Sequence, residues 1–250
     1  MRLKQFCEHP LHLDEILSSK NAIFELKQSL EAGYAFKINH SIDLDLLKKY
    51  REYFLKNIDE NSEGYTPRTP GCKNYIQVHP DHPNQVVPAF FISFSIFPWN
   101  RESKDLFDEL AKLFILRNRL ASLPDDMYFI REDKNLTARI AMQFYPSGKG
   151  YMNAHSDPKN IHQFAIPTLT LSKINSDFNS GGFFIVNEDE EKELMDKRLN
   201  FGDLSLFHTS IPHGVETIDQ NDPSPKRGRL MAIAAVNPFS GVDGFQAKNA

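Results

Sequence analysis

His155 and Asp157 stand one residue apart in YMNAHSDP, residues 151–158. In an extended chain, residues i and i+2 point to the same side, so an imidazole and a carboxylate converge there. A third donor, His213, opens an apolar-alternating stretch in GDLSLFHTSIPHGVETI, residues 202–218. Two imidazoles and one carboxylate on one face of a metal ion leave the remaining positions open. That donor set suits non-haem ferrous iron. The same set around zinc would activate a water for hydrolysis or isomerisation. A third reading makes the cluster accidental, on a β-sandwich binding module that holds no stoichiometric metal.

Downstream, Arg229 opens RLMAIAAV, where strand alternation places Arg229, Met231, Ile233 and Ala235 on one face. A guanidinium on an otherwise apolar face calls for an anionic partner, because isolated buried charge is costly. A dicarboxylate would satisfy it through a bidentate pair. Arg227 is the rival, since it shares that face if the strand begins two residues earlier. Arg229 is preferred because it follows Gly228 directly and continues into the apolar run.

The remaining candidates take ordinary roles. His208 follows an apolar strand and is read as structural, and His79 and His82 in VHPDHP as solvated residues of a proline-rich loop. His162 is placed on the surface, and Arg139 and Lys149 at the solvated mouth of the site. Trp99 and Phe90, Phe91, Phe94 and Phe97 are assigned to the core.

These residues need elements to position them. From residue 137 the pattern has a period of two: Ile140, Met142 and Phe144 face one way, and Arg139, Gln143 and Tyr145 the other. Further short strands are expected at 164–172, 182–186, 204–207, 213–218 and 229–236, separated by turn-rich PSGKG, NSDFNSGG and DQNDPSPKRG. The glycine pair 181–182 is assigned to a tight turn. Many short strands with such turns point to a sandwich or barrel.

Before residue 136 the periods are helical. Ile23, Leu26 and Leu30 form one stripe that stops at Gly33, and a short strand is expected at 34–38. Ser41 is the expected N-cap of a second helix with Leu44, Leu47, Phe54 and Ile58 on its buried face. A third helix follows Ser103, with Leu106, Phe107, Leu110, Leu113 and Phe114 on one face and an Asp108–Lys112 pair on the other. Residues 59–90 hold five of the fifteen prolines and read as a long loop, either a lid or binding loop or an ordinary irregular surface connection. The expectation is one domain over 1–250: a helical N-terminal elaboration, 1–135, and a β core, 136–240.

Composition narrows the class. The 250 residues carry 29 Lys and Arg against 33 Asp and Glu, a net charge of −4. That argues against a dedicated nucleic-acid binder, which shows a basic domain or stripe. No run approaches the ~18 apolar residues of a membrane span, and the N-terminus lacks a signal-peptide core, so a cytoplasmic location is expected. Cys7 and Cys72 make no disulfide framework. Oligomeric state is not legible.

The ordered set HxD, several short strands, GDxLxF, a histidine and then an arginine opening the last strand resembles the Fe(II)/2-oxoglutarate-dependent dioxygenases. The resemblance covers residues 136–240 and implies a double-stranded β-helix, or jelly roll, mainly β with flanking helices. It implies Fe(II) held by His155, Asp157 and His213, 2-oxoglutarate as co-substrate held by Arg229, and O₂ as oxidant. Tyr145 and Gln143, on the strand leading into HxD, would contact the co-substrate. The implied activity is hydroxylation of an unactivated C–H bond of a small-molecule substrate, with release of succinate and CO₂. Desaturation and ring closure would share its opening chemistry. The stretch from His213 to Arg229 is longer than the family's usual gap.

Overall fold

The change of period at residue 136 marks the strand that carries the site. In the computed structural model, which describes residues 1–58, 75–81, 87–127, 136–157, 163–224 and 226–238, the chain begins with β1 (Gln5–Glu8), α1 (Leu13–Ser18), α2 (Lys20–Glu31), β2 (Tyr34–Ile38) and α3 (Leu44–Lys56). Next come β3 (Tyr75–Val78), β4 (Ala89–Ile96), α4 (Lys104–Glu109) and α5 (Ala111–Leu120). The remainder is β: β5 (Leu136–Pro146), β6 (Tyr151–His155), β7 (Thr168–Thr170), β8 (Gly182–Val186), β9 (Lys192–Leu194), β10 (Leu204–Leu206), β11 (His213–Glu216) and β12 (Gly228–Pro238).

From β5 onward the strands form two four-stranded layers. One runs β5–β12–β7–β10 and the other β6–β11–β8–β9, with β4 pairing to β5 in the first and β6 in the second. Alternation of successive strands between facing sheets is the jelly-roll pattern. The N-terminal strands extend it: β2 pairs with β10, β1 with β2, and β3 with β4. Leu3 then bridges to Asn187, tying β1 back to the end of β8.

Alternation along β5 decides what each layer faces. Ala138, Ile140, Met142 and Phe144 join Leu230, Ala232 and Ala234 of β12 in a core with the apolar stripes of α2, α3, α4 and α5. The helices therefore pack on one sheet, as expected. Arg139, Gln143 and Tyr145 point the other way, between the layers. β5 and β12 pair along eleven residues, which fixes that facing because a one-residue slip would invert it.

Local differences have local causes. α3 is capped by Asp43, which accepts hydrogen bonds from the amides of Asp45 and Leu46, whereas Ser41 donates to Asp14. An ionised acceptor makes the stronger cap bonds. Leu44 consequently sits at the helix start, 43% exposed. The helix after Ser103 breaks at Leu110, so Asp108 and Lys112 lie across the break. Asp108 pairs with Lys104 instead, and Lys112 with Asp14. The apolar run 89–96 forms β4, with Phe90, Phe91 and Phe97 buried. Of the expected loop, 59–74 and 82–86 lie outside the described residues, as do His82 and His162.

Asp219, between β11 and β12, closes the turns at one end of the roll. Its buried carboxylate accepts from the amides of Asn179 and Ser180 and from the Ser147 hydroxyl. Burial raises its pKa, but those donors outweigh burial and hold it below the usual range. Asp219→Ala should destabilise the protein by about 2–4 kcal/mol in urea titration, since each orphaned buried donor costs about 1–3 kcal/mol. The carboxylate's contribution is complete above the unfolded value near 3.9 and is lost as pH falls through the depressed folded value. Asp219→Asn should correspondingly flatten the fall in stability from pH 5 to pH 2.

Candidate metal centre

His155 is the last residue of β6 and His213 the first of β11, and the antiparallel register sets them directly opposite. Asp157 follows two residues later, its amide donating to the Thr209 carbonyl. Asp157 Oδ1 lies 3.6 Å from His155 Nε2, and Oδ2 lies 3.5 Å from His213 Nε2. Ligands held ~2.1 Å from one ion at cis or tetrahedral angles sit roughly 3.0–3.4 Å apart. One ligand atom from each of the three residues lies within 4.8 Å of the others, and this is the one such group among the described residues.

Orientation of the rings comes from the backbone. Nδ1 of His155 faces the Asn153 carbonyl at 3.1 Å, and Nδ1 of His213 faces the Ile211 carbonyl at 2.9 Å. A carbonyl only accepts, so each Nδ1 carries the proton and each Nε2 presents its lone pair inward. Phe207 packs edge-on against the His213 ring at 4.8 Å. Gly214, beside it, has room for nothing larger: a Cβ there would stand 2.6 Å from the Met152 carbonyl oxygen and 2.7 Å from the Phe184 ring.

Burial opposes charge on both histidines. For His213 it dominates and lowers the pKa; for His155 it is outweighed by the hydrogen bond and charge of Asp157, and the net shift is upward. Burial also raises Asp157, but the two imidazoles prevail and lower it. Its Oδ2 is buried without a hydrogen-bond partner. An orphaned carboxylate oxygen between two inward lone pairs fits a divalent cation, which would supply the missing partner to all three.

The three residues open onto a cavity of about 200 Å³ between the layers, walled by Phe183, Phe207, Met231 and Ile233. Gln143 and Tyr145 line it too, the Tyr145 hydroxyl donating to Gln143 Oε1 at 3.2 Å. Burial pushes the Tyr145 pKa up, against the nearby Arg229 charge and with that of Asp157. A larger open groove of about 600 Å³ runs past Asn153, Asn179 and Glu216 but reaches none of the three candidate ligands.

Arg229 pairs across the strands with Tyr145 and is wholly buried. Its Nε donates to Asp196 Oδ2 at 2.7 Å, while Nη1 and Nη2 have no hydrogen-bond partner. Asp196 also accepts from the Phe183 amide, and Gly182, at φ +119°, allows its approach: a Cβ would meet Asp196 Oδ2 at 2.5 Å. Arg227 lies outside this arrangement, donating to Asn179 near the surface. His208 is held by Ser210 and packs against Phe164, away from the three ligands.

Three residues of this region escape sequence reasoning or are misplaced by it. Asp196 sits in an acidic, charged stretch that signals only a surface. Arg117 lies in α5, where the apolar stripe drew attention to the opposite face; it is buried and lines the cavity. Arg139, expected at a solvated mouth, is also buried inside, because its β5 alternation places it with Gln143 and Tyr145. Lys149 is exposed, its ammonium over the Phe90 ring.

No protein-family model matches the sequence, and neither does any curated protein. Likeness appears in three dimensions. A Pseudomonas putida prolyl-4-hydroxylase covers 86% of this chain and 97% of its own, with a TM-score of 0.52 and 16% identity. The chain shares that enzyme's fold. Looser likenesses are a Burkholderia pseudomallei oxidoreductase of the 2OG-Fe(II) oxygenase family, at TM-score 0.49, 11% identity and 95% coverage of each chain, and SnoN, a non-haem α-ketoglutarate-dependent epimerase from nogalamycin biosynthesis. SnoN has a TM-score of 0.47 and 12% identity, covering 93% of this chain and 92% of that one. The jelly roll expected from the sequence is thus the fold observed. No helix among the described residues is long and apolar enough to cross a membrane.

Proposed function

We propose that the chain is an Fe(II)- and 2-oxoglutarate-dependent oxygenase that hydroxylates a C–H bond of a small molecule. The observation that carries this is the pairing of a facial His155–Asp157–His213 donor set with Arg229, whose Nη1 and Nη2 are partnerless in the same interlayer space. A zinc hydrolase would use the first feature and has no need of the second.

In this reading His155, Asp157 and His213 would hold the metal at the wall of the cavity that they line. Arg229 receives the distal carboxylate of 2-oxoglutarate through Nη1 and Nη2, while Asp196 fixes Nε and so the plane of the fork. Tyr145 and Gln143, which line the same cavity as the metal-site residues, would donate to and orient the co-substrate. Phe183, Phe207, Met231 and Ile233 keep water away from the reacting bond. Iron held by these three residues would supply activation of O₂, coupled to conversion of 2-oxoglutarate to succinate and CO₂.

Anaerobic addition of Fe(II) and 2-oxoglutarate should produce the visible charge-transfer band of the chelate. Folded, metal-loaded protein that shows no band would move the zinc reading ahead.

A further inference from the structure

The histidines and the aspartate of the metal centre are held differently. Each imidazole is turned by its own Nδ1–H, which donates to a backbone carbonyl two residues back. Ligating carboxylates are ordinarily fixed by outer hydrogen bonds as well. Among the described residues, however, the Asp157 carboxylate pairs only with His155 and His213, and its buried Oδ2 accepts no hydrogen bond. The aim of this short side chain therefore comes from its backbone. The Asp157 amide donates to the Thr209 carbonyl at 3.0 Å, and the hydroxyl of the preceding Ser156 donates to the Ser210 carbonyl at 3.1 Å. Thr209 is itself buried, 1% exposed, and held from its other side. Its amide donates to the Phe164 carbonyl at 3.2 Å. Its hydroxyl donates to the Gln163 carbonyl at 2.9 Å and lies 3.3 Å from that of Phe164. Gln163 lines the cavity with the three metal-site residues.

We propose that Thr209 is a positioning residue of the metal centre: its carbonyl fixes Asp157 and its hydroxyl fixes Gln163, so that a ligand and part of the cavity lining are held as one unit. Thr209 lies outside the cavity lining and acts through Asp157. This rests on the oxygenase reading in taking Asp157 as a metal ligand. The hydroxyl matters because, without it, the Thr209 peptide is tied to the 163–164 segment by its amide alone. The carbonyl can then swing, and the Asp157 amide with it. A β-branched side chain has few χ1 choices, so the donor is aimed before the bond forms.

The test uses the full chain. Thr209→Val copies the shape without the donor, and Thr209→Ser keeps the donor. Ser147→Ala is the control, because it removes a buried hydroxyl bonded to Asp219 instead of to the cavity lining. In metal-free protein, Thr209→Val should speed amide exchange at Asp157, read by NMR, by about threefold to tenfold, the worth of one neutral hydrogen bond. Amides in the middle of β5 and β12 should not change. Mn(II) affinity, by calorimetry at a temperature where the variant is folded, should fall by a like factor. Thr209→Ser should restore both to within about twofold, and Ser147→Ala should alter neither. A change smaller than about threefold in either readout, an equal change in Ser147→Ala, or failure of serine to restore overturns the proposal. Should Thr209→Val misfold, the unaltered protein decides. Zn(II) should slow exchange at the Asp157 and Thr209 amides together, since coupling is reciprocal, and slowing at Asp157 alone overturns the proposal. Failure of the unaltered protein to bind metal refutes the metal reading, and the exchange comparison still decides whether Thr209 holds Asp157.

Discussion

Asp157→Ala is expected to lower divalent-metal affinity by at least about a hundredfold, measured by calorimetry with Fe(II) under anaerobic conditions or with Mn(II) in air. Loss of a group that merely orients a ligand costs about 10–100-fold, and Asp157 is proposed as a ligand itself. A second readout follows from linkage: metal at a hundred times its dissociation constant stabilises the native state by about 2.7 kcal/mol. The unaltered protein should therefore melt higher when metal is added, and the variant should not. His155→Ala and His213→Ala should behave alike. His208→Ala is the control, because its ring is engaged with Ser210 and Phe164, and affinity should stay within about twofold. Metal binding that survives loss of Asp157 but fails with His208 would overturn the assignment.

The second large effect belongs to Arg229. A charge-assisted hydrogen bond to a carboxylate in a desolvated site is worth about 1.5–3 kcal/mol net, so Arg229→Ala should weaken 2-oxoglutarate binding from about tenfold to somewhat over a hundredfold. Metal affinity should be unchanged. The substitution also strands the buried Asp196 carboxylate, and breaking a buried pair from one side costs about 3–5 kcal/mol of stability. The two effects separate in the double variant. Arg229→Ala with Asp196→Asn should recover part of the stability and none of the co-substrate affinity. Arg229→Lys keeps the charge without the planar fork and should be intermediate. Arg227→Ala should change little, since that side chain reaches only Asn179. Near-neutral behaviour of Arg229→Ala together with a large loss in Arg227→Ala would place the co-substrate elsewhere.

What the sequence determined by itself was local and periodic. The i,i+2 spacing of His155 and Asp157 placed both on one side of an extended chain, and the structure has them so. The two-residue period along 137–145 separated the residues facing the helices from those facing the cavity, and β5 keeps that division along its length. Short-range covalent geometry dictates both, so a few residues suffice to read them.

Only the tertiary structure decided which distant residues meet. The pairing of His213 with His155 depends on β11 lying beside β6, a choice made by the crossing pattern of the whole roll. Asp196 is drawn into the core by Arg229 and the Phe183 amide, although its neighbours in sequence are charged surface residues. Arg139 and Arg117 come to one cavity from a strand and a helix. Their burial is a property of what packs over them, and no pattern within either segment records it. The cap at Asp43 and the partner of Lys112 were settled by competition between nearby groups, which depends on where neighbouring elements place Asp14. Spacing alone can tell which residues share a face; the energetic balance of the folded molecule tells what that face meets.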